Sequence, residues 1–367
     1  MGFLRTLDQR ANVERAKFSR ALELSRYRSS QGHHTLPRQL IEMIALRLLR
    51  GIGPEYYHTA SFWNRETPWQ EKLGHMGAAE YSRFIDSFNK PNFQKVSQHK
   101  VTEKALLSLF SIPTPRFIGY FNPSSGRDRN GNDLKTVESL RDVLARTECG
   151  KICFKRPEGW AGRSFQAAEI VRDQSQLMLR PLNRHEPVSV DDYARTDLRF
   201  DRDCKWLIEE YCEQHAWYKG LHPSSLNTMR LWAIRKTEGA RAEVIAGYLR
   251  MGQRGALVDN RQAGGLVARI DVQRGGVVGC VVDGLGGEWN SSCHPETKAN
   301  VEGEQLPYWN EAVSLAADAL SVFPNMRFAG VDVAVSPDGP MIIELNVKPS
   351  MIGAAITGTP LRKVLRA

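Results

Sequence analysis

Phe328-Ala-Gly-Val-Asp-Val-Ala-Val-Ser-Pro-Asp-Gly-Pro-Met-Ile-Ile-Glu-Leu-Asn-Val-Lys-Pro-Ser350 decides how the rest of the chain is read. Val331, Val333 and Val335 alternate with Asp332 and Ala334, the period of a strand. Pro337 to Pro340 supplies turn residues, and the apolar run Met341 to Ile343 begins a second strand. The pair reads as an antiparallel hairpin, in which Asp332 and Glu344 come opposite one another. Glu344 and Asn346 share a face, because strand side chains repeat with period two. Magnesium takes hard oxygen ligands, usually one or two carboxylates, and completes its shell with water and substrate phosphates. Two carboxylates and an amide oxygen meet that demand, so Asp332, Glu344 and Asn346 are candidate metal ligands. Lys348 continues the same face and is a candidate for reaching a phosphate. The plainer account of the whole segment is an ordinary hairpin with a solvated end.

Four further stretches carry candidate chemistry. In Gln98 to Pro115, Leu106, Leu107 and Phe110 fall at helical spacing until Ile112-Pro-Thr-Pro115 stops the helix. In Lys151 to Phe165, a strand bearing Lys155 runs into a loop with Gly159 and Gly162, where missing side chains let backbone amides approach phosphate oxygens. No Gly-Lys-Ser/Thr follows, so this is not a P-loop. Lys205-Trp-Leu-Ile-Glu-Glu-Tyr-Cys212 is an apolar strand ending in acids. In His222 to Arg235, Asn227-Thr228-Met-Arg230 opens a strand, and an arginine fixed there can give two parallel hydrogen bonds to a phosphate or carboxylate.

The order of these motifs resembles the ATP-grasp superfamily over roughly residues 95 to 355, and the wording around Arg230 is similar to its sugar-transfer-associated branch. The resemblance implies an α+β ATP-grasp fold, two α+β lobes gripping ATP between them, here with a helical N-terminal extension. It implies ATP and magnesium, two ions with manganese able to substitute, held by Asp332, Glu344 and Asn346. It assigns Lys100, Lys155, Gly159 and Gly162 to the nucleotide phosphates. Glu209, Glu210 and Cys212 become candidate purine contacts, with Asn227 also in the nucleotide site. Arg230 and Lys348 become the catalytic candidates for the transferred phosphoryl group. Asn260, Gly264 and Gly265 resemble a loop bordering the active site, and His294 a residue lining the pocket near the acceptor.

The implied reaction is that of a ligase: ATP and a carboxylate give an acyl phosphate, which an amine converts to an amide. The substrates would be a small-molecule or saccharide carboxylate and an amine acceptor, in polysaccharide or sugar-conjugate synthesis. A kinase on the same scaffold differs only in its acceptor, and a non-catalytic anion- or nucleic-acid-binding protein is the third reading. No convincing Ser/His/Asp or Cys/His constellation competes with these.

Composition agrees with an ordinary enzyme of two or three lobes: 367 residues, 41% hydrophobic and 25% charged. No stretch has the length of a membrane span and no signal-peptide pattern opens the chain, so the cytoplasm is the expected location. The six cysteines form no Cys-x-x-Cys pairs, which supports neither zinc nor a disulfide framework. Of the net charge of +9, most sits in residues 1–50, with ten basic side chains against four acidic ones. Leu40, Ile44 and Leu48 form an apolar stripe there, expected to face the protein's own core, and nucleic acid is not an expected partner.

Residues 1–95 read as helices broken at Gly32, Gly51 to Pro54 and Pro68, without the strand-glycine-helix unit that many ATP-grasp enzymes carry at their start. Residues 96–132 then connect to a lid lobe over 133–212 and a catalytic lobe over 213–367. Within the last, strands are expected near 228–236, 242–251, 264–272 and 277–283, before a helix over 306–323.

Overall fold

The computed structural model describes residues 16, 18–159, 164–173, 176–200, 205–261, 264–281 and 292–365. Gly162 and the glycine-rich run 283–287 lie outside the described residues. The strands are β1 (Phe117–Phe121), β2 (Arg127–Asp128), β3 (Lys151–Lys155), β4 (Gln166–Asp173), β5 (Gln176–Pro181), β6 (Val188–Ser189) and β7 (Trp206–Glu210), followed by β8 (Thr228–Ile234), β9 (Glu243–Met251), β10 (Leu266–Ile270), β11 (Val277–Val281), β12 (Phe328–Ser336) and β13 (Gly339–Asn346). They form two antiparallel sheets, one ordered β2-β1-β7-β3-β4-β5-β6 and the other β11-β10-β9-β8-β12-β13.

In the first sheet, Ile152 and Phe154 of β3 and Trp206 and Ile208 of β7 face the helices Val137–Arg146 and Val190–Thr196. Thr136 caps the first of these helices, its hydroxyl accepting from the Ser139 amide at 3.1 Å. β1 and β2 extend this sheet beyond β7, so it draws in part of the segment read as a connection between lobes.

The second sheet obeys the period of two closely. Val331, Val333 and Val335 of β12, Met229, Leu231 and Ala233 of β8, and Leu249 and Met251 of β9 pack on one side, against the helix Trp309–Ser321. The alternate residues point the other way. Towards one end of that opposite face stand Phe328, Trp232, Ile234 and Ala246; towards the other stand Asp332, Arg230 and Arg250. The expected hairpin is present, with Asp332 paired to Glu344 and an irregularity immediately after Asp332. Such a bulge twists a strand locally and re-aims the side chains beside it.

The helical N-terminal region covers the apolar end of that face. Tyr56, Tyr57, Phe62, Tyr81 and Phe84 bury Trp232 and Phe328, with Tyr81 stacked on Trp232 at a ring separation of 6.3 Å. Asn89 ties the layers together: its Nδ2 donates to the carbonyls of Phe328 and Val347 at 2.7 Å each, and its Oδ1 accepts from the amides of Arg327 and Phe328 at 3.0 Å. All four partners are backbone groups at the end of the hairpin, so this one amide satisfies polar groups that would otherwise be buried alone.

One expectation for this region is corrected. The helix Leu36–Arg50 buries Gln39, Glu42, Met43 and Leu46, whereas Ile44 and Leu48 are 61% and 80% exposed and only Leu40 packs inward. Two polar residues displace the apolar stripe because their partners are inside. Glu42 accepts from Lys72 Nζ at 2.7 Å and Tyr57 Oη at 2.9 Å, and Gln39 donates to the His34 carbonyl at 2.6 Å.

Candidate active site

The register of the second sheet assembles the site. Asp332 lies between Arg230 on β8 and Glu344 on β13, and Arg250 on β9 pairs with Thr228 on β8. Since residues paired across a ladder project to the same face, these charged side chains converge. Arg230 grips Asp332 with two hydrogen bonds, from Nε to Oδ1 and from Nη2 to Oδ2, the latter 2.8 Å. Arg250 donates to Asp332 Oδ2 at 2.9 Å and to Asp259 Oδ1 at 2.5 Å, and Asp259 in turn accepts from the amide and hydroxyl of Thr228. Neither Arg250 nor Asp259 was singled out from sequence, although an arginine closing the otherwise apolar run Ala246 to Met251 was an available signal.

A cavity of about 370 Å³ opens between the two sheets, within the size range of small-molecule sites. Lys100, Lys155, Gly159, Glu210, Cys212, Arg230, Asp332, Glu344 and Asn346 all line it, as does Asn260. Lys100 Nζ lies 3.1 Å from Glu344 Oε2 and donates to the Gly159 carbonyl at 3.3 Å, joining the helix Lys100–Leu109, the glycine loop and the hairpin at one point. Burial would push the Glu344 carboxyl up, but Lys100, Arg230 and Arg250 outweigh it and hold the group well below the usual carboxylate range. Pro115, Cys153, Tyr211, Leu226, Leu257 and Ile343 give the same cavity an apolar wall.

Other expected residues stand elsewhere. Glu209 is fully buried behind the wall, where it bridges Lys155 Nζ at 2.7 Å and Lys104 Nζ at 2.9 Å. Its side chain therefore holds Lys155 in place from behind the cavity wall. Asn227 is also buried; its Nδ2 serves the carbonyls of Tyr218 and His222 at 2.8 and 2.9 Å, closing the turn that enters β8. Lys348 is half-exposed, lies 3.4 Å from Asp86, and borders a smaller neighbouring cavity with Glu344 and Asn346. His294 is buried with Nε2 2.9 Å from the Gly252 carbonyl, and does not line the main cavity. Gly264 and Gly265 do not line it either, but Gly265 shapes its rim: a Cβ there would come within 2.2 Å of the Asp259 carbonyl.

The donor set suits magnesium by its chemistry. Two carboxylates and an amide oxygen border one cavity, the hard donors that magnesium takes; Lys100 pairs with Glu344, and Arg230 and Arg250 with Asp332, so a cation bound there would share these carboxylates with the cationic side chains. The Asn346 Nδ2 is buried with no hydrogen-bond partner. Among the described residues, no three His, Cys, Asp or Glu side chains form a metal-holding group.

Solved structures resemble the fold at low identity. The ATP-grasp ligase PsnB complexed with minimal precursor matches with 16% identity and a TM-score of 0.40, over 76% of this chain and 64% of that one. N5-carboxyaminoimidazole synthase from Aspergillus clavatus, in complex with ADP and 5-aminoimidazole ribonucleotide, matches with 11% identity and a TM-score of 0.41, over 75% and 51%. D-alanyl-alanine synthetase A from Vibrio cholerae O1 matches with 10% identity and a TM-score of 0.42, over 73% and 60%. Each match spans less than two thirds of the other structure's length. A search of curated proteins found no match. Residues 80–367 match the sequence profile of sugar-transfer associated ATP-grasp proteins. The chain therefore belongs to the sugar-transfer associated ATP-grasp family.

Proposed function

We propose that this protein is an ATP- and magnesium-dependent ligase that joins a carboxylate to an amine, serving the assembly of a polysaccharide or sugar conjugate in the cytoplasm. The observation that carries the reading is the convergence of Lys100, Lys155, Arg230, Arg250, Asp332, Glu344 and Asn346 on one cavity between two sheets. ATP concentrates negative charge, and that charge must be offset before another anion can approach its terminal phosphorus. Bound by Asp332, Glu344 and Asn346, magnesium would supply part of that neutralisation. Lys100 and Lys155 both line the cavity and supply more. The apolar wall around Cys153, Cys212 and Tyr211 offers a seat for the purine.

In the first step a carboxylate oxygen of the substrate attacks the γ-phosphorus; the O–P bond forms, the bond to the β-phosphate oxygen breaks, and ADP leaves. Arg230, held in place by Asp332, can share its remaining N–H donors with the transferring phosphoryl oxygens. An amine then attacks the acyl carbon, inorganic phosphate departs with the electron pair, and the amine gives up a proton. Neither step asks a side chain to act as nucleophile.

The test is ADP release by the purified chain with candidate carboxylates, with and without candidate amines, for wild type and Glu344→Gln. Amine-dependent ADP release that the variant loses supports the ligase. Turnover that ignores the amine and phosphorylates a hydroxyl would establish a kinase. Turnover unchanged in the variant would refute the proposed role of the hairpin.

A further inference from the structure

The outward face of the helix Leu36–Arg50 carries a line of large apolar side chains. Gln39, Glu42, Met43 and Leu46 face inward, and on the opposite side Ile41, Ile44 and Leu48 follow one another at helical spacing. They are 62%, 61% and 80% exposed, and Leu49 beside them is 56% exposed. Single exposed apolar residues need no explanation, but a contiguous line along one helix marks a contact surface.

Its charge says what kind. Arg38 and Arg47 flank the line and are exposed; the preceding helix, residues 18–30, carries exposed Arg26 and exposed Arg20, the latter paired with Glu23 at 3.0 Å. The helix's acidic residue, Glu42, is turned inward onto Lys72 and Tyr57 and only its edge meets Arg38. The surface is therefore apolar along its middle and basic at its margins.

We infer that this face docks on an anionic lipid bilayer, with Ile41, Ile44 and Leu48 entering the boundary between headgroups and acyl chains and the arginines meeting lipid phosphates. An apolar line with basic margins is the pattern of a helix lying in a membrane interface. A second copy of the chain would set the same positive margins against each other. Nucleic acid would present its phosphates to an apolar centre, whereas its binding depends on cations placed at the phosphates.

The experiment is vesicle flotation with the full-length chain. Phosphatidylcholine vesicles containing about one third phosphatidylserine should bind it at least about tenfold more tightly than phosphatidylcholine alone, and added salt should weaken the binding. The double variant Ile44→Glu/Leu48→Glu should lose about tenfold in affinity for the anionic vesicles, since a buried charge at an interfacial position is strongly disfavoured. Its thermal midpoint should match wild type, because both side chains are solvent-facing. Leu109→Glu, at a residue 79% exposed outside this helix, should leave binding unchanged. Failure of the native chain to bind anionic vesicles, or binding indifferent to Ile44→Glu/Leu48→Glu, overturns the inference. So does a dimer in sedimentation equilibrium that the double variant dissociates, or an oligonucleotide shift that it abolishes.

Discussion

Glu209→Gln isolates the electrostatic design behind the nucleotide cavity. The carboxylate holds two ammonium groups, Lys155 at 2.7 Å and Lys104 at 2.9 Å, and all three side chains are shielded from water. At an effective dielectric constant of about 20, each contact amounts to about 6 kcal/mol of attraction, part of which repays the desolvation of the charges. Removing one partner of a buried pair costs about 3–5 kcal/mol, because the opposite charge is left without compensation. Here two cations are left, and they repel one another. A loss of that size should lower the thermal midpoint by roughly 4–7 °C.

The loss should also depend on pH in a defined direction. Burial already lowers the Lys104 ammonium against the pull of Glu209, and the glutamine removes that pull. With its folded-state value below the unfolded one, Lys104 binds fewer protons folded than unfolded across the interval between them. Stability of the variant must then rise as pH is raised through that interval. Chemical denaturation from pH 7 to pH 10 measures this, with Lys104→Met as the companion that leaves one lysine per carboxylate and should cost less. A Glu209→Gln midpoint within about 1 kcal/mol of wild type, or a stability difference that does not shrink as pH rises, would refute the reasoning.

Glu344→Gln should reduce ATP turnover about a hundredfold or more while leaving the circular dichroism spectrum unchanged, as ADP release and spectra together will show. Chelation of divalent cations should abolish turnover, and magnesium or manganese should restore it; activity that survives exhaustive chelation would count against Asp332, Glu344 and Asn346 as ligands. Burial, with repulsion from Glu344, raises the Glu103 carboxyl to about 8. The folded state thus keeps a proton that the unfolded state releases near its ordinary value, so this contribution to stability falls as pH rises towards about 8 and is flat above; Glu103→Gln should remove that slope in denaturation midpoints. Gly353→Ala would set a Cβ 2.4 Å from Cζ2 of the buried Trp232 and should destabilise by about 1–3 kcal/mol, measured by urea unfolding.

The hairpin was legible because two independent signals coincide in it, the alternation of valines and the turn residues between the strands, and together they fix which side chains oppose one another. The helix Lys100–Leu109 and strands β3 and β8 to β11 were legible from periodicity in the same way. Arg250 and Asp259 escaped because their partners lie on other strands and in a loop, a relation carried by sheet order and absent from local pattern. Glu209 and Asn227 were assigned to the ligand because a polar residue amid apolar ones signals either a site or an internal hydrogen-bond hub, and spacing does not separate the two. The helix Leu36–Arg50 was turned the wrong way round for a related reason: the partners that make Gln39 and Glu42 comfortable inside are His34, Tyr57 and Lys72, and the last two are remote in sequence.

The clasp made by Asn89 has a mechanical consequence. Because one buried amide pins the segment before the helix Lys100–Leu109 to both arms of the hairpin, and aromatic rings from residues 56 to 84 seal the adjoining strands, the N-terminal helices and the β8–β13 sheet must travel as a single piece. Asn89→Ala should accordingly loosen that junction, read as faster amide hydrogen exchange at Arg327 and Phe328 than in the wild type.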